Sequence, residues 1–162
     1  EAHTGPAYLR FGRPKWANFT PVEDPGFSIG KAQVLRPGTD VTVAACGHLV
    51  WYALLAAEEL AKQDISVEVI NVHTIKPFDE ETVLASARKT RCVVSAEEHN
   101  RFGGLGDSVA QALGRHLPLP QEYVAVNDSF GESGDPEELL AKYGLSPAHI
   151  VAACHRAIAR KG

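Results

Sequence analysis

The residues best suited to acid–base chemistry are Glu97, Glu98 and His99, which directly follow a short apolar run at 92–96. Carboxylates beside an imidazole can exchange protons when their surroundings shift their pKa values. The apolar run predicts a buried strand, and open α/β sheets bind ligands at the carboxyl ends of such strands. Because side chains alternate along a strand, we do not expect both glutamates to face one substrate. A hydrogen-bonded polar turn or an interface cluster is the alternative interpretation.

A glycine-rich turn, Gly103-Gly104-Leu105-Gly106, follows this stretch and opens a helix that is predicted from its apolar spacing. The turn lacks the G-x-G-x-x-G spacing of dinucleotide-binding proteins. Its glycines could let a phosphate approach the N-terminus of the helix, or they could serve a positive-φ turn or close packing of the helix. The phosphate interpretation defines an alternative function, a free-standing nucleotide- or effector-binding module that uses the Gly103–Gly106 turn.

Two other histidines, His48 and His73, also lie at the carboxyl ends of predicted strands, where a hydrogen-bonded loop histidine is the simplest interpretation. Cys46 and His48 are two residues apart around a turn, and we do not expect them to align for proton transfer. No Ser or Cys lies in a nucleophile elbow, so no catalytic residue is predicted. The polar loop after the last predicted strand is interpreted as solvated and helix-capping, with three carboxylates: Asp128, Glu132 and Asp135.

Arg10 and Arg13 lie three residues apart, just after a short apolar strand predicted at 7–9. A guanidinium group is planar and can form two parallel hydrogen bonds with a phosphate monoester. Surface ion pairs are the alternative for an isolated pair of arginines. The residues alone leave both interpretations open.

Size and charge exclude several classes of function. The chain has 162 residues, enough for one domain with a core, and its net charge of −4 with scattered basic residues argues against nucleic acid and anionic membranes as partners. We find no signal peptide, no membrane-spanning run and no metal-ligand spacing. The three widely spaced cysteines are typical of reduced thiols in the cytoplasm: Cys46, Cys92 and Cys154. Because the first residue is Glu1 rather than Met, we expect a fragment or a processed product.

The sequence predicts a linker that is followed by one folded domain. Residues 16–27 are rich in proline and aromatic residues, which is typical of a linker, and we place a domain boundary near residue 27. Beyond it, strands alternate with helices, and the strands are predicted at 29–35, 41–45, 67–72, 92–96 and 123–126. This alternation predicts βαβ units on a mostly parallel sheet with helices on both faces.

Several of these segments together resemble a known family. They are the stretch from Gly5 to Arg13, then VTVAACGHLV, VEVINVHTIKPFD, VSAEEHNRFGGLGDSVAQAL and FGESGDPEELLAKYGL. They look like the C-terminal part of transketolases, and most like the C-terminal subunit of split transketolases. Deoxyxylulose-phosphate synthase and the beta subunits of 2-oxoacid dehydrogenases carry a similar domain. The resemblance covers essentially the whole chain.

The resemblance implies a three-layer α/β/α domain at residues 28–162, with a five-stranded, mostly parallel sheet and one antiparallel edge strand. Residues 1–27 would be a remnant of the preceding pyrimidine-binding domain plus a linker. The parent enzyme would use thiamine diphosphate and magnesium to move a two-carbon ketol unit between sugar phosphates, as in the pentose phosphate pathway. The family's GDG…N cofactor motif and its activating glutamate are absent from the sequence. We therefore expect this chain to hold no cofactor and to be inactive alone.

The resemblance also implies partners and one kind of site residue. The partners would be the missing diphosphate- and pyrimidine-binding domains or a subunit that carries them, and a homodimer is possible. In the family, an arginine at the end of the last strand of the pyrimidine domain contacts the substrate phosphate, and Arg13 matches it. Arg10 matches a basic position of the deoxyxylulose-type relatives. His99 matches the EEH motif of the family, for which no role is carried over.

Overall fold

Five strands and five helices make up the part of the chain that the computed structural model describes, residues 3–12, 15–20, 23 and 26–161. In chain order they are β1 Gln33–Arg36, β2 Val41–Ala45, α1 Leu49–Ala61, β3 Val67–Asn71, α2 Glu80–Thr90, β4 Val93–Asn100, α3 Leu105–His116, β5 Gln121–Val126, α4 Pro136–Lys142 and α5 Pro147–Ala159. No helix among these residues has the length and apolar character needed to cross a bilayer.

The strands form one sheet in the order β1-β3-β2-β4-β5, in which β1 runs antiparallel to β3 and the other neighbours are parallel. Side chains that alternate along β2 enter two separate cores. Val41, Val43 and Ala45 pack with α1 and α5, whereas Ala44 packs with α2 and α3. The predicted three-layer domain, whose sheet has one antiparallel edge strand, is therefore confirmed.

Three segments differ most from their predictions, and β5 begins at Gln121 rather than at residue 123. The strand predicted at 7–9 is wrong, because no strand of the described sheet lies beside it and residues 3–12 have no regular secondary structure. β1 begins at Gln33 rather than at residue 29, because a turn closes the preceding residues through a hydrogen bond from Lys31 N to Ser28 O of 3.0 Å. β4 continues to Asn100 instead of ending at residue 96, because a shift in register lets Asn100 pair with Val126 of β5.

Asp79 ties the start of α2 to the chain before β1. Its carboxylate accepts hydrogen bonds from Thr82 N at 3.2 Å and from Thr82 Oγ1 at 2.8 Å, as expected of an N-cap residue. The same carboxylate accepts a third hydrogen bond from Ala32 N at 2.8 Å. Burial acts to raise the pKa of Asp79, but these hydrogen bonds outweigh it and hold the pKa below its ordinary value. Asp79 is thus both a helix cap and a tertiary link.

Replacing Asp79 by asparagine should lower the free energy of unfolding at pH 7 by about 1–2 kcal/mol, because the cap and the link lose their charge. A carboxyl group whose pKa is lower in the folded state stabilises the fold above its unfolded pKa of about 3.9, and this contribution is lost as the pH falls through the folded value. Urea unfolding at pH 7 and pH 3 should therefore show a difference that shrinks in acid. Glu81→Gln, an exposed carboxylate in the same helical turn, is the control and should change stability by less than about 0.5 kcal/mol. A deficit that is equal at both pH values would contradict this role.

Candidate functional site

The carboxyl ends of β2 and β4 lie side by side at the point where the order of the strands in the sheet reverses. From β2 the chain crosses through α1 to β3 on one side, and from β4 it crosses through α3 to β5 on the other. Ligands of open α/β sheets bind in the crevice at such a switch point. Here the backbone N–H of Cys46, just after β2, donates to the carbonyl of Ala96 in β4 at 3.1 Å, so residues 46–48 lie against the end of β4.

A charged cluster of Arg10, His48 and Glu98 lies at this switch point. His48 Nδ1 is 3.2 Å from Glu98 Oε2. Arg10 Nη1 donates to the backbone carbonyl of Glu98 at 2.8 Å, and its Nη2 lies 3.8 Å from the Glu98 carboxylate. The ring of Trp16 stacks on the His48 imidazole at a centroid distance of 4.2 Å and an angle of 3°. The N-terminal segment thus contacts the switch point at two residues.

His48 is held neutral at pH 7. Its side chain is only 9 % exposed, and burial lowers its pKa; Glu98 raises it and Arg10 lowers it further, with a net decrease. A neutral imidazole that faces a carboxylate through Nδ1 must carry its proton on that nitrogen, which leaves Nε2 as an acceptor. Nε2 is buried and has no hydrogen-bond partner among the described residues. The imidazole therefore orients the Glu98 carboxylate.

Glu97 points to the opposite face of the sheet, as strand alternation predicts. Its carboxylate is buried and accepts hydrogen bonds from the backbone N–H groups of Leu105 and Gly106, each at 2.8 Å. These are the free donors at the start of α3, where a phosphate would bind. A Cβ atom at Gly104 would lie 2.0 Å from Glu97 Oε2, and one at Gly106 would lie 2.5 Å from the ring of Tyr123. Gly104 and Gly106 serve close packing, and the protein's own carboxylate fills the site that the nucleotide-binding alternative needs.

The rest of the EEHNR stretch links β4 to the loop after β5. His99 Nδ1 lies 2.7 Å from the carbonyl of Asn100, and the ring is about half exposed. Asn100 Nδ2 donates to Asp128 Oδ1 at 3.2 Å, and Arg101 Nη1 donates to Asn127 Oδ1 at 2.9 Å. In the same loop region, Glu132 pairs with Lys142, and Asp135 caps α4, as the solvated, helix-capping interpretation predicts.

The remaining candidates do not join the cluster. His73, after β3, has Nδ1 2.9 Å from Thr74 Oγ1 and packs on the ring of Phe27. Burial lowers its pKa, so it is a neutral loop histidine. Among the described residues Cys46 has no imidazole partner for activation, because Nδ1 of His48 faces Glu98 and its Nε2 has no hydrogen-bond partner. Burial raises the pKa of the Cys46 thiol to about 12, so it is not a nucleophile at neutral pH.

Arg13 lies outside the described residues, so the structure describes only Arg10 of the two predicted phosphate ligands. The described residues contain no group of three or more His, Cys, Asp or Glu that could hold a metal ion. Among the described residues, the helix that follows a glycine-rich turn is α3, and the N–H groups at its start already donate to the Glu97 carboxylate. The start of α3 is therefore not free to bind a diphosphate group.

The sequence did not predict the Arg10–His48–Glu98 cluster. His48 and Glu98 are each predicted to lie at the end of a strand, and this signal could have indicated their pairing, whereas Arg10 is predicted to follow a strand that the structure does not contain. The missing information was the order of the strands, because only the adjacency of β2 and β4 brings His48 to Glu98.

Comparisons with known proteins agree with this fold. Residues 30–150 match the model for the transketolase C-terminal domain. The 6-deoxy-6-sulfo-D-fructose transketolase subunit of Clostridium sp. (strain MSTE9) is 50% identical over 160 residues, which are 99% of this chain and 49% of that protein. One subunit of the apulose-4-phosphate transketolase of Phocaeicola vulgatus is 36% identical over 145 residues, or 90% of this chain and 46% of that protein. A solved structure described as a split gene transketolase, inactive beta4 tetramer, superposes with a TM-score of 0.88 at 41% identity, covering 93% of this chain and 49% of that one.

The chain belongs to the transketolase family, of which it carries the C-terminal domain. Its similarity extends to the 1-deoxy-D-xylulose-5-phosphate synthase of Pelotomaculum thermopropionicum, at 40% identity over 94% of this chain and 24% of that protein. The chain spans about half the length of the split-type relatives that it matches.

Proposed function

We propose that this chain is the C-terminal assembly and support domain of a thiamine-diphosphate-dependent transketolase, which transfers a two-carbon ketol unit between sugar phosphates. The observation that carries the proposal is the 50% identity to a transketolase subunit over 99% of the chain. In this proposal, the diphosphate- and pyrimidine-binding domains, or a subunit that carries them, hold the cofactor and magnesium. A homodimer is one possible arrangement of the assembly, and the cytoplasm is its expected location.

The names of relatives support an enzyme whose domains are divided between two polypeptides. Two relatives are called transketolase subunits, and the superposed structure is called an inactive tetramer of beta chains. By analogy, this chain is inactive without its partner. The pentose phosphate pathway is the setting that the family resemblance implies. The complete active site would determine which donor and acceptor sugars react.

The N-terminal segment supports the proposed domain division. Tyr8, Leu9 and Phe11 are 88%, 74% and 85% exposed, an unusual state for large apolar side chains that lie close together. Such side chains fit a segment that packs on the preceding pyrimidine-binding domain, as proposed for residues 1–27. Residues 28–162 then form the C-terminal domain. Arg10 and Arg13 belong to this N-terminal segment, where they bind or position the phosphate of the substrate.

Reconstitution of activity tests the proposed function. The chain, the partner that carries the cofactor-binding domains, and a mixture of both are assayed with thiamine diphosphate and magnesium for ketol transfer from xylulose 5-phosphate to ribose 5-phosphate. Only the mixture should turn over. Turnover by this chain alone, or full turnover by the partner alone, would refute the proposal.

A further inference from the structure

The strand β5 forms one edge of the sheet, and no strand among the described residues pairs with its outer side. The N–H and C=O groups of a strand residue point to the same side, and this side alternates along the strand. The carbonyl of Val126 accepts a hydrogen bond from the backbone N–H of Arg101, just after β4, at 2.9 Å. Because Val126 faces β4 in this way, the backbone groups of Tyr123 and Ala125 point away from the sheet.

Side chains cover the two ends of this outer edge and leave its middle open. At the start of β5, Arg160 Nη1 donates to the carbonyl of Gln121 at 2.9 Å. Within the described part of the chain, no other group bonds to the outward N–H and C=O groups of Tyr123 and Ala125. A groove of about 410 Å³ follows this stretch and is lined by both residues. Unpaired backbone groups in such a row are a template for one more strand.

The two edges of the sheet differ in how they are protected against pairing. β1 has four residues, and its register with β3 shifts between Val34 and Arg36. Short, irregular and charged edge strands resist the addition of another strand. β5 has six residues, contains neither proline nor lysine, and keeps a regular register with β4 from Gln121 to Val124. The β5 edge is therefore the one that suits a further strand.

The open part of β5 is complementary to itself in an antiparallel pair. If a twofold axis passes beside Val124, Tyr123 of each copy lies opposite Ala125 of the other. Residues that face each other in this way exchange both N–H···O=C bonds, so every outward group of the two residues gains a partner. The pairing also places the large tyrosine ring opposite the alanine methyl group, which avoids crowding between side chains across the axis.

The charges at the two ends of β5 favour the same orientation. At its start, Arg156 and Arg160 both bind the Glu122 carboxylate, at 2.8 Å and 2.6 Å, which leaves one positive charge in excess. Just after its end lies Asp128, whose carboxylate accepts from the neutral amide of Asn100. An antiparallel pair brings the start of one strand beside the end of the other. The arginines of one copy then approach Asp128 of the second, an attractive arrangement.

We infer that a second copy of this chain pairs with β5, so that one continuous sheet runs through two molecules. The inference goes beyond the proposed function, in which a homodimer has no assigned surface. It requires neither substrate nor cofactor, so its success or failure is measured separately from ketol transfer by the reconstituted enzyme.

Sedimentation velocity of the chain from about 1 to 300 µM provides the first test, because a small interface dissociates in this range. The wild type should convert from monomer to dimer. Ala125→Pro removes an outward N–H group without touching the bonds to β4, and Ala125→Lys keeps this group but adds a charge beside the axis. Each should raise the dissociation constant of the dimer at least about 30-fold. Val34→Lys, on the opposite edge, is the control and should change it less than about twofold.

A monomer at every concentration would overturn the inference. It would also be overturned by a dimer that persists in both Ala125 variants when they unfold thermally like the wild type.

Residue-resolved hydrogen exchange at about 10 and 500 µM provides the second test. The amide protons of Tyr123 and Ala125 should exchange at least about fivefold more slowly in the concentrated sample. Those of Glu122 and Val124, which face β4, are internal controls and should change less than about twofold. Equal slowing at all four residues, or no slowing at the two outward ones, would contradict pairing through β5.

Discussion

Replacing Gly104 by alanine should lower the free energy of unfolding by about 3 kcal/mol or more. The added Cβ would lie 2.0 Å from Glu97 Oε2, 2.7 Å from its Cδ and 2.8 Å from His99 Nδ1. The Glu97 carboxylate cannot move aside cheaply, because it is buried and holds the first N–H groups of α3. Displacing it would leave a buried charge and two backbone donors without partners.

Urea unfolding measures this effect, and Gly114→Ala provides a matched control in the same helix. A Cβ at Gly114 meets nothing within 4 Å, so alanine there should stabilise the helix by up to about 1 kcal/mol. Backbone strain is not the cause at Gly104, whose φ of −106° is accessible to any residue. A Gly104→Ala protein as stable as the wild type would show that Glu97 does not hold the start of α3 in this way.

In the complete enzyme, Arg13→Ala should lower kcat/KM for xylulose 5-phosphate about 100-fold. A guanidinium that forms two charge-assisted hydrogen bonds with a phosphate contributes about 3 kcal/mol, and each 1.4 kcal/mol is a factor of about ten. Hydroxypyruvate has no phosphate, so its kcat/KM should change by less than about twofold.

Arg36→Ala is the control for a general loss of positive charge, because Arg36 belongs to the edge strand β1. It should leave both donors unaffected. An equal loss with both donors in Arg13→Ala would mean that this arginine supports the active site in some way other than binding phosphate. Arg13→Lys should recover only part of the loss, because an ammonium group cannot form the paired hydrogen bonds of a guanidinium.

The layers of the fold could be predicted because their signals are local. The apolar run at β2 and the spaced apolar residues of α3 each indicate an element without reference to the rest of the chain. The carboxylate of Asp79 before Glu80 and Glu81 likewise indicates the start of α2. These patterns determine which faces are buried, and the structure has the same faces.

The candidate site could be predicted only in part, because its contacts are non-local. Glu98 is separated from Arg10 by 88 residues, and nothing near either residue indicates the other. Glu97 has the residue type for acid–base chemistry, but its position opposite the start of α3 makes it a helix cap. The extension of β4 to Asn100 depends on pairing with Val126 of β5, which a single segment does not reveal.

The low reactivity of the three free thiols of this domain has a practical consequence for measuring its association with a partner by fluorescence. Cys92 and Cys154 are buried, and burial raises the pKa of Cys46 and of Cys154 to about 12. At pH 7 such groups are almost entirely protonated, whereas the thiolate is the form that reacts with maleimides. A cysteine introduced at Phe130, whose side chain is 99% exposed, would therefore carry a fluorophore at a single defined point without removal of any native thiol. Energy transfer from that dye to a labelled partner would report the formation of the complex directly.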